Sequence, residues 1–500
     1  LLRRQKSEGT LMLQPNILLI MTDQQRFDSL GCYGFEAAHT PNLDQLATDG
    51  ALFEHCYVNN PICTPSRSSL MTGKHLPGHG VYQLYDNLPE DQILFTEHLQ
   101  RLGYHTALFG KLHVCSRYTE AEKRHPHDGF DVYEWCLDHA IHLDSPFNGY
   151  AKWLKETDPE FYDRLCREGK ELLHIPREVH MTHWAAERTI DYVNNASANQ
   201  PFFGMMSVFD PHNPYQDYPL EIGDLINQAN IPDPFVLESD FEDTLPILKR
   251  LSIEGGNSRK LSESELRNMR FGYHASIALI DLEVGRVLKA LEQKGLAENT
   301  LVIFASDHGD MLGDRLQTTK GGFFYDACVR VPLLMRWPSR FSGEKKLPQI
   351  VQLHDLSATI LGTAGMSRSE LQQIMPDAIN LVPFCAGEFL VTHDAAYCVY
   401  RNSSLGGRNT NSPYFDPPVH ATMIRDQRFK LNLYNTANNT EGQLFDMQQD
   451  PGEENSLWTD RDYTHIRESL TKQILDFLVH QDANFVGKRG GEALPPRWSL

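Results

Sequence analysis

The sequence predicts an α/β fold, in which a large, mixed but mostly parallel sheet lies between helices and is followed by a small C-terminal domain. Residues 16–21 (NILLIM) and 301–305 (LVIFA) are short, continuous apolar runs. Such runs are typical of strands that are buried on both faces of a parallel sheet. Helical patterns separate the predicted strands, and this alternation indicates a layered α/β architecture. Beyond residue 386 the pattern changes to short aromatic and β-branched segments interrupted by Asn, Gly and Pro.

The other elements of the large domain follow from hydrophobic periodicity and from residues typical of helix ends. Further strands are predicted at residues 106–109, 202–208 and 331–336. Helices are predicted at residues 42–49, 95–101, 180–194 and 276–294. Residues 116–200 are largely polar and rich in histidine, so we expect them to form surface insertions that cover the functional site of the large domain.

The C-terminal segment is predicted to be a small domain of its own. Strands at residues 395–400, 421–424 and 429–434 are expected to form an antiparallel sheet, and a helix at 463–478 is expected to pack on it. We therefore expect an α/β domain with the catalytic site over residues 12–385 and a small α+β domain over residues 386–500.

Charge and apolar content exclude two classes of partner. The 500 residues include 46 Lys and Arg against 66 Asp and Glu, which gives a formal charge of −20. Nucleic acids are not expected to bind, because their phosphates favour clustered basic residues. A membrane partner is not expected either, since no apolar run approaches the ~20 residues that a bilayer span needs.

Cysteine usage indicates a reducing compartment. The nine cysteines are scattered without a C-x-x-C pair, which argues against a disulfide framework and against a zinc ribbon. The first eleven residues lack the apolar core of a secretory signal. We therefore expect a cytoplasmic protein, while a periplasmic or secreted location stays open.

The segment Cys63-Thr64-Pro65-Ser66-Arg67 is the most specific chemical signal in the sequence. Thr64 is a candidate N-cap and Pro65 suits the first helical position, so Cys63 is expected just before a helix amino terminus. Free N–H groups and the helix dipole favour an anion there, and Arg67 adds further donors one turn later. The alternative is a buried structural cysteine with Arg67 in a surface ion pair. A cysteine-phosphatase loop is disfavoured, because it places more residues between Cys and Arg than the three present here.

Both buried apolar runs are followed by an Asp and a second polar residue. Asp23-Gln24 follows the first run, and Asp307-His308 follows the second. Because open α/β sheets place ligands at the carboxyl ends of their strands, we expect the two pairs to meet and to hold one divalent cation. The alternative for each Asp is a helix cap.

Motifs along nearly the whole chain match those of one enzyme family. Cys63 to Arg67 fits the pattern C-x-P-x-R. Further blocks occur in family order at residues 15–23 (PNILLIMTD), 40–46 (TPNLDQL), 110–113 (GKLH), 210–212 (DPH), 306–309 (SDHG), 320 (K), 330–332 (RVP) and 444–451 (LFDMQQDP). The chain thereby resembles the sulfatases of the alkaline phosphatase superfamily. The resemblance implies an alkaline-phosphatase-like core and a formylglycine nucleophile made by oxidation of Cys63.

The resemblance also implies roles for individual residues of this chain. The metal would be held by Asp23, Gln24, Asp307, His308 and the modified Cys63. Arg67 would stabilise the formylglycine, His113 would hydrogen-bond it, and His212 would also be catalytic. Contacts to the non-bridging oxygens of the ester are implied for Lys111, His212, Lys320 and a further candidate, Asn87. The alternatives are solvated charges for the lysines and structural roles for the histidines.

One departure from the commonest pattern bears on the metal and on the ester. Many sulfatases carry two adjacent Asp at the first metal position and Asp-Asn at the second, whereas this chain carries Asp23-Gln24 and Asp307-His308. This pairing resembles phosphonate monoester hydrolases and choline-sulfatase-like members. Calcium is the usual metal of the family, but a His ligand and fewer carboxylates also suit Mn²⁺ or Zn²⁺.

Three functions follow from these observations. The predicted function is hydrolysis of a sulfate ester. The alternatives are a phosphonate monoester or phosphodiester hydrolase with the same nucleophile, and a non-catalytic anion-binding homologue. The expected partners are a small-molecule sulfate or phosphonate ester and a formylglycine-generating maturation enzyme, while a homo-oligomer stays open. Specificity for the leaving group is expected in residues 116–200 and 214–261, which the resemblance does not cover.

Overall fold

The computed structural model describes residues 14–242, 245–248, 258–388, 392–401, 419–436 and 439–486. The strands of the large sheet are β1 (Asn16–Thr22), β2 (Ala51–Tyr57), β3 (His105–Gly110), β4 (Val132–Trp135), β5 (Phe202–Ser207), β6 (Thr300–Ser306), β7 (Arg330–Val331), β8 (Leu333–Arg336) and β9 (Lys345–Gln352). Their order across the sheet is β4-β3-β5-β1-β6-β8-β2-β7, and β9 pairs with β2.

Helices flank this sheet. Those of six or more residues are α1 (Pro41–Thr48), α2 (Cys63–Thr72), α3 (Phe95–Arg101), α4 (Arg117–Glu122), α5 (Gly149–Thr157), α6 (Pro159–Glu168), α7 (Met181–Asn194), α8 (Glu263–Gln293), α9 (Asp355–Thr363), α10 (Arg368–Ile374) and α11 (Thr464–Val486). Shorter α-helical segments are Leu76–His79, Leu220–Gly223, Ser239–Glu242, Asp326–Val329 and Val382–Cys385. In the described part of the chain, no helix combines the length and the apolar character that a membrane crossing requires.

The centre of the sheet is parallel, as predicted. β1 lies between β5 and β6 and is parallel to both, with Met21 opposite Ser207 on one side and Ala305 on the other. β3 is parallel to β5 and to β4, whereas β7 and β8 are antiparallel to their neighbours. The arrangement confirms the predicted α/β class with a mixed, mostly parallel sheet.

Two apolar cores cover the two faces of the sheet, because alternate side chains of a strand point to opposite faces. Ile17 and Leu19 of β1 belong to the core that also contains residues of α2 and α9. Leu18 and Ile20 belong to the other core, with residues of α7 and α8. Burying such a side chain contributes about 1.5–3 kcal/mol, which explains why β1 is a continuous apolar run.

A second, four-stranded sheet is antiparallel and lies in the C-terminal region, as predicted. Its strands are β10 (Ala396–Arg401), β11 (His420–Arg425), β12 (Phe429–Asn435) and β13 (Thr440–Asp446), in that order. Leu470 and Ile474 of α11 pack on it. β10 also contacts the large domain, since the Val399 N–H donates to the Asn59 carbonyl at 2.8 Å. The domain division after residue 385 stays a prediction, and residues 12–13 with parts of 386–500 lie outside the described residues.

Several boundaries differ from the sequence-based expectation for local reasons. The sequence patterns did not indicate β2, β4, β9 and β13 as strands. β2 contains Glu54 and His55, which interrupt its apolar run. The predicted strand at residues 331–336 is divided at Pro332, which has no N–H for the sheet. Helix α8 begins at Glu263, well before the predicted start at residue 276, because Ser262 and Glu265 form a capping box at its amino terminus.

Candidate functional site

Five of the parallel strands end at one edge of the large sheet, and the segments after them carry the predicted site residues. β1 and β6 lead directly to Asp23 and Asp307. β3 leads to Lys111, and β5 leads to the loop at Asp210. β2 is antiparallel to β8, which is antiparallel to β6, so β2 also ends at this edge and leads to Cys63. The topology thus brings side chains from distant parts of the chain to one edge of the sheet. This is the edge at which open α/β sheets bind their ligands.

Cys63 is the first residue of α2, which corrects the predicted start of this helix. Ile62 precedes it in an extended conformation, and the Ser66 N–H donates to the Ile62 carbonyl at 3.1 Å. Thr64 and Pro65 therefore lie inside the first turn, not at the N-cap and first helical positions. Proline is tolerated there because first-turn N–H groups have no partner within the helix.

Asp23, Asp307 and His308 form a buried cluster. His308 Nε2 lies 3.7 Å from Asp23 Oδ1 and 3.6 Å from Asp307 Oδ1. Asp23 Oδ1 and His308 Nε2 are buried and have no hydrogen-bond partner among the described residues. Such atoms are costly to bury unless a bound group satisfies them. Two carboxylate oxygens and an imidazole nitrogen at these separations fit one divalent cation.

The other oxygen of each carboxylate is bound by a basic side chain of the protein. Arg67 Nε donates to Asp307 Oδ2 at 2.6 Å, and its Nη2 lies 3.4 Å from Asp23 Oδ2. Lys111 Nζ also contacts Asp23 Oδ2. The guanidinium is completely buried and also donates to Ser207 Oγ at 2.9 Å, so the alternative of a surface ion pair for Arg67 is wrong. Arg67 therefore orients both carboxylates, with each Oδ1 towards His308.

Gln24 lies beside this cluster and is held in one orientation. Its backbone has a positive φ of 69°, and its N–H donates to Asp307 Oδ1 at 3.1 Å. The side-chain Nε2 donates to Asp310 Oδ2 at 2.6 Å, which leaves Oε1 to accept from Lys320 Nζ at 2.8 Å. Asp310 was not predicted, although it follows the SDHG block directly. The signal that could have identified Asp310 in the sequence is its place directly after Gly309, which follows the predicted metal ligands Asp307 and His308.

Lys320 and His212 form a pair at the same side of the site. Lys320 Nζ donates to His212 Nε2 at 2.6 Å, while His212 Nδ1 donates to the Asn213 carbonyl at 2.8 Å. Burial, followed by the charge of Lys320, lowers the pKa of His212 well below its usual value. His212 is therefore neutral near pH 7, and its Nε2 accepts the hydrogen bond from Lys320.

His113 is placed by a carboxylate that the sequence patterns did not single out. Its Nε2 lies 3.2 Å from the Thr64 hydroxyl, whereas its Nδ1 has no partner among the described residues. Glu120 accepts the backbone N–H groups of His113, Val114 and Cys115 at 2.7–3.1 Å. Three convergent N–H donors fix the loop after β3 and thereby the ring of His113.

Local charge lowers the pKa values of Asp23 and Cys63. Burial by itself raises both values, but Lys111 and then other cations oppose it. The pKa of Asp23 is held well below its usual range. Lys111, Lys320 and the neighbouring His308 ring bring the pKa of the Cys63 thiol down to about 7. The site thus favours an anion at position 63.

A cavity of about 310 Å³ opens above Cys63. It is lined by Cys63, Leu84, Tyr85, Lys111, His113, Arg117, Leu137, Asp138, Ile141, Lys170, Phe209, His212, Asn213, Thr319 and Lys320. Asn87 is not brought to this cavity: it lines a separate one, and its Oδ1 accepts the Ser116 N–H at 3.0 Å. The segment predicted to form insertions supplies five lining residues, Arg117, Leu137, Asp138, Ile141 and Lys170.

Known proteins share both the sequence and the fold of this chain. A family model described as Sulfatase matches residues 15–366, and one described as N-sulphoglucosamine sulphohydrolase, C-terminal, matches residues 320–480. An arylsulfatase of Clostridium perfringens is 28% identical over 488 residues, covering 95% of this chain and 96% of the relative. A choline-sulfatase of Rhizobium meliloti is 28% identical over 389 residues, covering 75% and 72%. The crystal structure of the phosphonate monoester hydrolase of Agrobacterium radiobacter superposes with a TM-score of 0.78 at 24% identity, covering 93% of this chain and 96% of that one.

Proposed function

The chain belongs to the sulfatase family of sulfuric ester hydrolases, and from this premise we propose that it cleaves its ester with a formylglycine derived from Cys63 and one divalent cation. The observation that carries the proposal is a pair of buried, unpartnered atoms, Asp23 Oδ1 and His308 Nε2, which lie 3.7 Å apart, with the His308 ring neighbouring the Cys63 thiol. Asp23, Asp307 and His308, together with the amide oxygen of Gln24, would hold the cation. When bound, the cation supplies Lewis-acid stabilisation of charge on the ester oxygens.

The basic residues of the site have two tasks in this proposal. Lys111 and Lys320 line the cavity at the nucleophile, where they neutralise the charge of a sulfate group as it is transferred. Arg67 is fully buried behind the carboxylates and fixes their orientation. The formylglycine aldehyde, made from Cys63 by a maturation enzyme, would add water to form a geminal diol. One hydroxyl of the diol would attack the sulfur and displace the alcohol, and the other would later expel the sulfate as the aldehyde re-forms.

Protonation of the leaving oxygen is assigned to Lys320. Its Nζ donates to a neutral His212 and to Gln24 Oε1, which aims the ammonium group into the cavity. A positioned acid of this kind contributes about 10²- to 10⁴-fold to such reactions. His212 acts as the acceptor that holds Lys320 in place.

The walls of the cavity favour an apolar leaving group. Leu84, Leu137, Ile141 and Phe209 line the same cavity as Cys63. An aromatic or alicyclic alcohol buries apolar surface there at about 25 cal/mol per Å². An aryl sulfate is therefore the substrate with which to begin.

The experiment measures hydrolysis by protein whose Cys63 peptide shows the formylglycine mass. Aryl sulfate, aryl phosphonate and phosphodiester substrates with the same leaving group are compared, with Cys63→Ala as the control. We expect sulfate-ester turnover that disappears in Cys63→Ala while the folded structure persists. Sulfate hydrolysis equal in both proteins contradicts the proposal. An unmodified Cys63 after co-expression with a maturation enzyme favours the anion-binding alternative.

Hydrolysis of a phosphonate monoester or phosphodiester is a second candidate. The observation that favours it is the neutral Gln24 at a position where many sulfatases carry a second carboxylate. A sulfate monoester and a phosphonate monoester each carry about one negative charge near neutral pH, so charge does not separate them. The ratio of kcat/KM between the two esters decides the preference, and a ratio in favour of the phosphonate identifies this activity as the main one.

A further inference from the structure

Arg117 is a cation at the cavity that forms no ion pair with a carboxylate in the described part of the chain. The lysines of the cavity each lie within ion-pair distance of a carboxylate. Lys111 contacts Asp23, Lys170 lies 2.7 Å from Asp138, and Lys320 Nζ lies 3.9 Å from Asp23 Oδ1. In a chain of net charge −20, a cation without a carboxylate partner at the substrate cavity needs an explanation.

The guanidinium of Arg117 is held in place by two aromatic rings. It lies 4.9 Å from the ring centre of Tyr118 and 6.0 Å from that of Tyr85, which also lines the cavity. Its Nη2 donates to the Tyr118 hydroxyl at 3.0 Å. Its Nε is buried and has no hydrogen-bond partner among the described residues. Stacking on aromatic faces orients a guanidinium without neutralising it, so its charge stays available to a ligand.

The composition of the cavity lining adds to this argument. Arg117 and the apolar residues Leu137 and Ile141 line the same cavity as Cys63 and its neighbouring lysines. The lining includes one carboxylate, Asp138, which is already paired with a lysine. A ligand that carries two anionic groups on an apolar body matches this lining.

We propose that Arg117 binds a second anionic group, a carboxylate or a second sulfate, on the leaving group of the sulfate ester. The inference rests on the proposed hydrolysis and names its substrate class: organic sulfates whose leaving group carries an oxyanion. A guanidinium binds either oxyanion through paired N–H donors. Arg117 is thereby a residue that determines specificity, and it takes no part in bond cleavage.

The test compares phenyl sulfates that carry a para carboxylate, a para sulfonate or a para carboxamide. The carboxamide is nearly the same size as the carboxylate but neutral, so it isolates the charge. In the wild-type protein kcat/KM is expected to be about 10- to 100-fold higher for the carboxylate than for the carboxamide, as one charge-assisted hydrogen bond provides. The ratio of carboxylate to sulfonate then indicates which oxyanion fits the subsite.

Variants assign this preference to Arg117. Arg117→Met is expected to reduce the ratio of carboxylate to carboxamide to about one, since the charge is lost. Arg117→Lys is expected to keep part of the ratio, and added salt is expected to lower the preference in the wild type. Arg164→Met is the matched control, because Arg164 lies on α6 in an exposed pair with Glu168. This control is expected to leave the ratio unchanged.

A binding measurement keeps the proposal testable without turnover. Cys63→Ala protein is titrated with the same three phenyl sulfates, and Arg117→Met in that background is expected to weaken binding of the carboxylate but not of the carboxamide. Equal affinities for the two compounds, or a preference that Arg117→Met leaves intact, overturn the proposal. Absence of any Cys63-dependent hydrolysis overturns the proposed function instead, and the binding ratio still decides the role of Arg117.

Discussion

Arg67 Nε lies 2.6 Å from Asp307 Oδ2, and both side chains are completely buried. The two residues are 240 positions apart in the chain. Their contact turns the Asp307 carboxylate so that Oδ1 lies 3.6 Å from His308 Nε2. The ion pair is thus a structural support for the candidate cation site.

Removal of Arg67 is expected to destabilise the fold as well as the site. Arg67→Met leaves Asp307 and Asp23 without this buried partner, and breaking a buried pair costs about 3–5 kcal/mol. The free energy of unfolding from denaturant titration measures the loss. Arg101→Met is the control, because its exposed pair with Glu97 is worth about 0.5 kcal/mol. Equal stability of the two variants contradicts the structural role of Arg67.

Asp307→Ala is expected to remove one divalent cation from each chain and to abolish hydrolysis. The reason is that Asp307 supplies one of the two carboxylate oxygens that face His308 Nε2. Metal content by inductively coupled plasma mass spectrometry is compared with that of Asp476→Ala, which alters an exposed pair. Unchanged metal content in Asp307→Ala places the cation elsewhere.

The unmodified thiol of Cys63 is expected to react with iodoacetamide with a midpoint near pH 7, because its pKa is lowered to about 7. The thiolate is the reactive form, so the rate falls about tenfold for each pH unit below the midpoint and is constant above it. Lys111→Met is expected to move the midpoint upwards, since Lys111 supplies the largest lowering charge. Cys328, whose pKa burial raises to about 12, serves as the internal comparison in a peptide-resolved measurement. A Cys63 midpoint that Lys111→Met leaves unchanged contradicts the assignment.

Substitution of Lys320 is expected to affect esters with poor leaving groups most. Lys320→Met removes the proposed proton donor, so the loss in kcat is about 10²- to 10⁴-fold for phenyl sulfate. The loss is smaller for 4-nitrophenyl sulfate, whose leaving oxygen needs little protonation. His212→Gln keeps an acceptor for Lys320 Nζ and is expected to lose less. Equal losses for both esters indicate a binding role for Lys320.

Glu120→Gln is expected to destabilise the loop that carries His113. The carboxylate accepts three backbone N–H groups and the Trp135 indole N–H, whereas an amide has only one acceptor oxygen. Donors left unsatisfied cost about 1–3 kcal/mol, measured by denaturant unfolding. Glu122→Gln on the exposed side of α4 is the control and is expected to change stability by less than about 0.5 kcal/mol. A similar effect in both variants refutes the role of Glu120.

The sequence by itself determined the elements whose signals are local. β1 and β6 were predictable because continuous apolar runs mark strands buried on both faces, and Asp23 and Asp307 follow those runs directly. The C-x-P-x-R segment and its companion blocks indicated the family before any contact was known. In these cases the physical cause lies within a few neighbouring residues.

Only the tertiary structure decided how these residues face one another. One oxygen of the Asp23 and Asp307 carboxylates faces Arg67 and the other faces His308. This orientation depends on strand register and on packing between residues about 240 to 285 positions apart. The same holds for Asp310, whose partner Gln24 lies 286 positions away in the chain. Asn87 lines another cavity, although Leu84 and Tyr85 just before it line the cavity at Cys63. The burial of a side chain and the electrostatic potential at it depend on all residues packed around it, and most of those residues are distant in sequence.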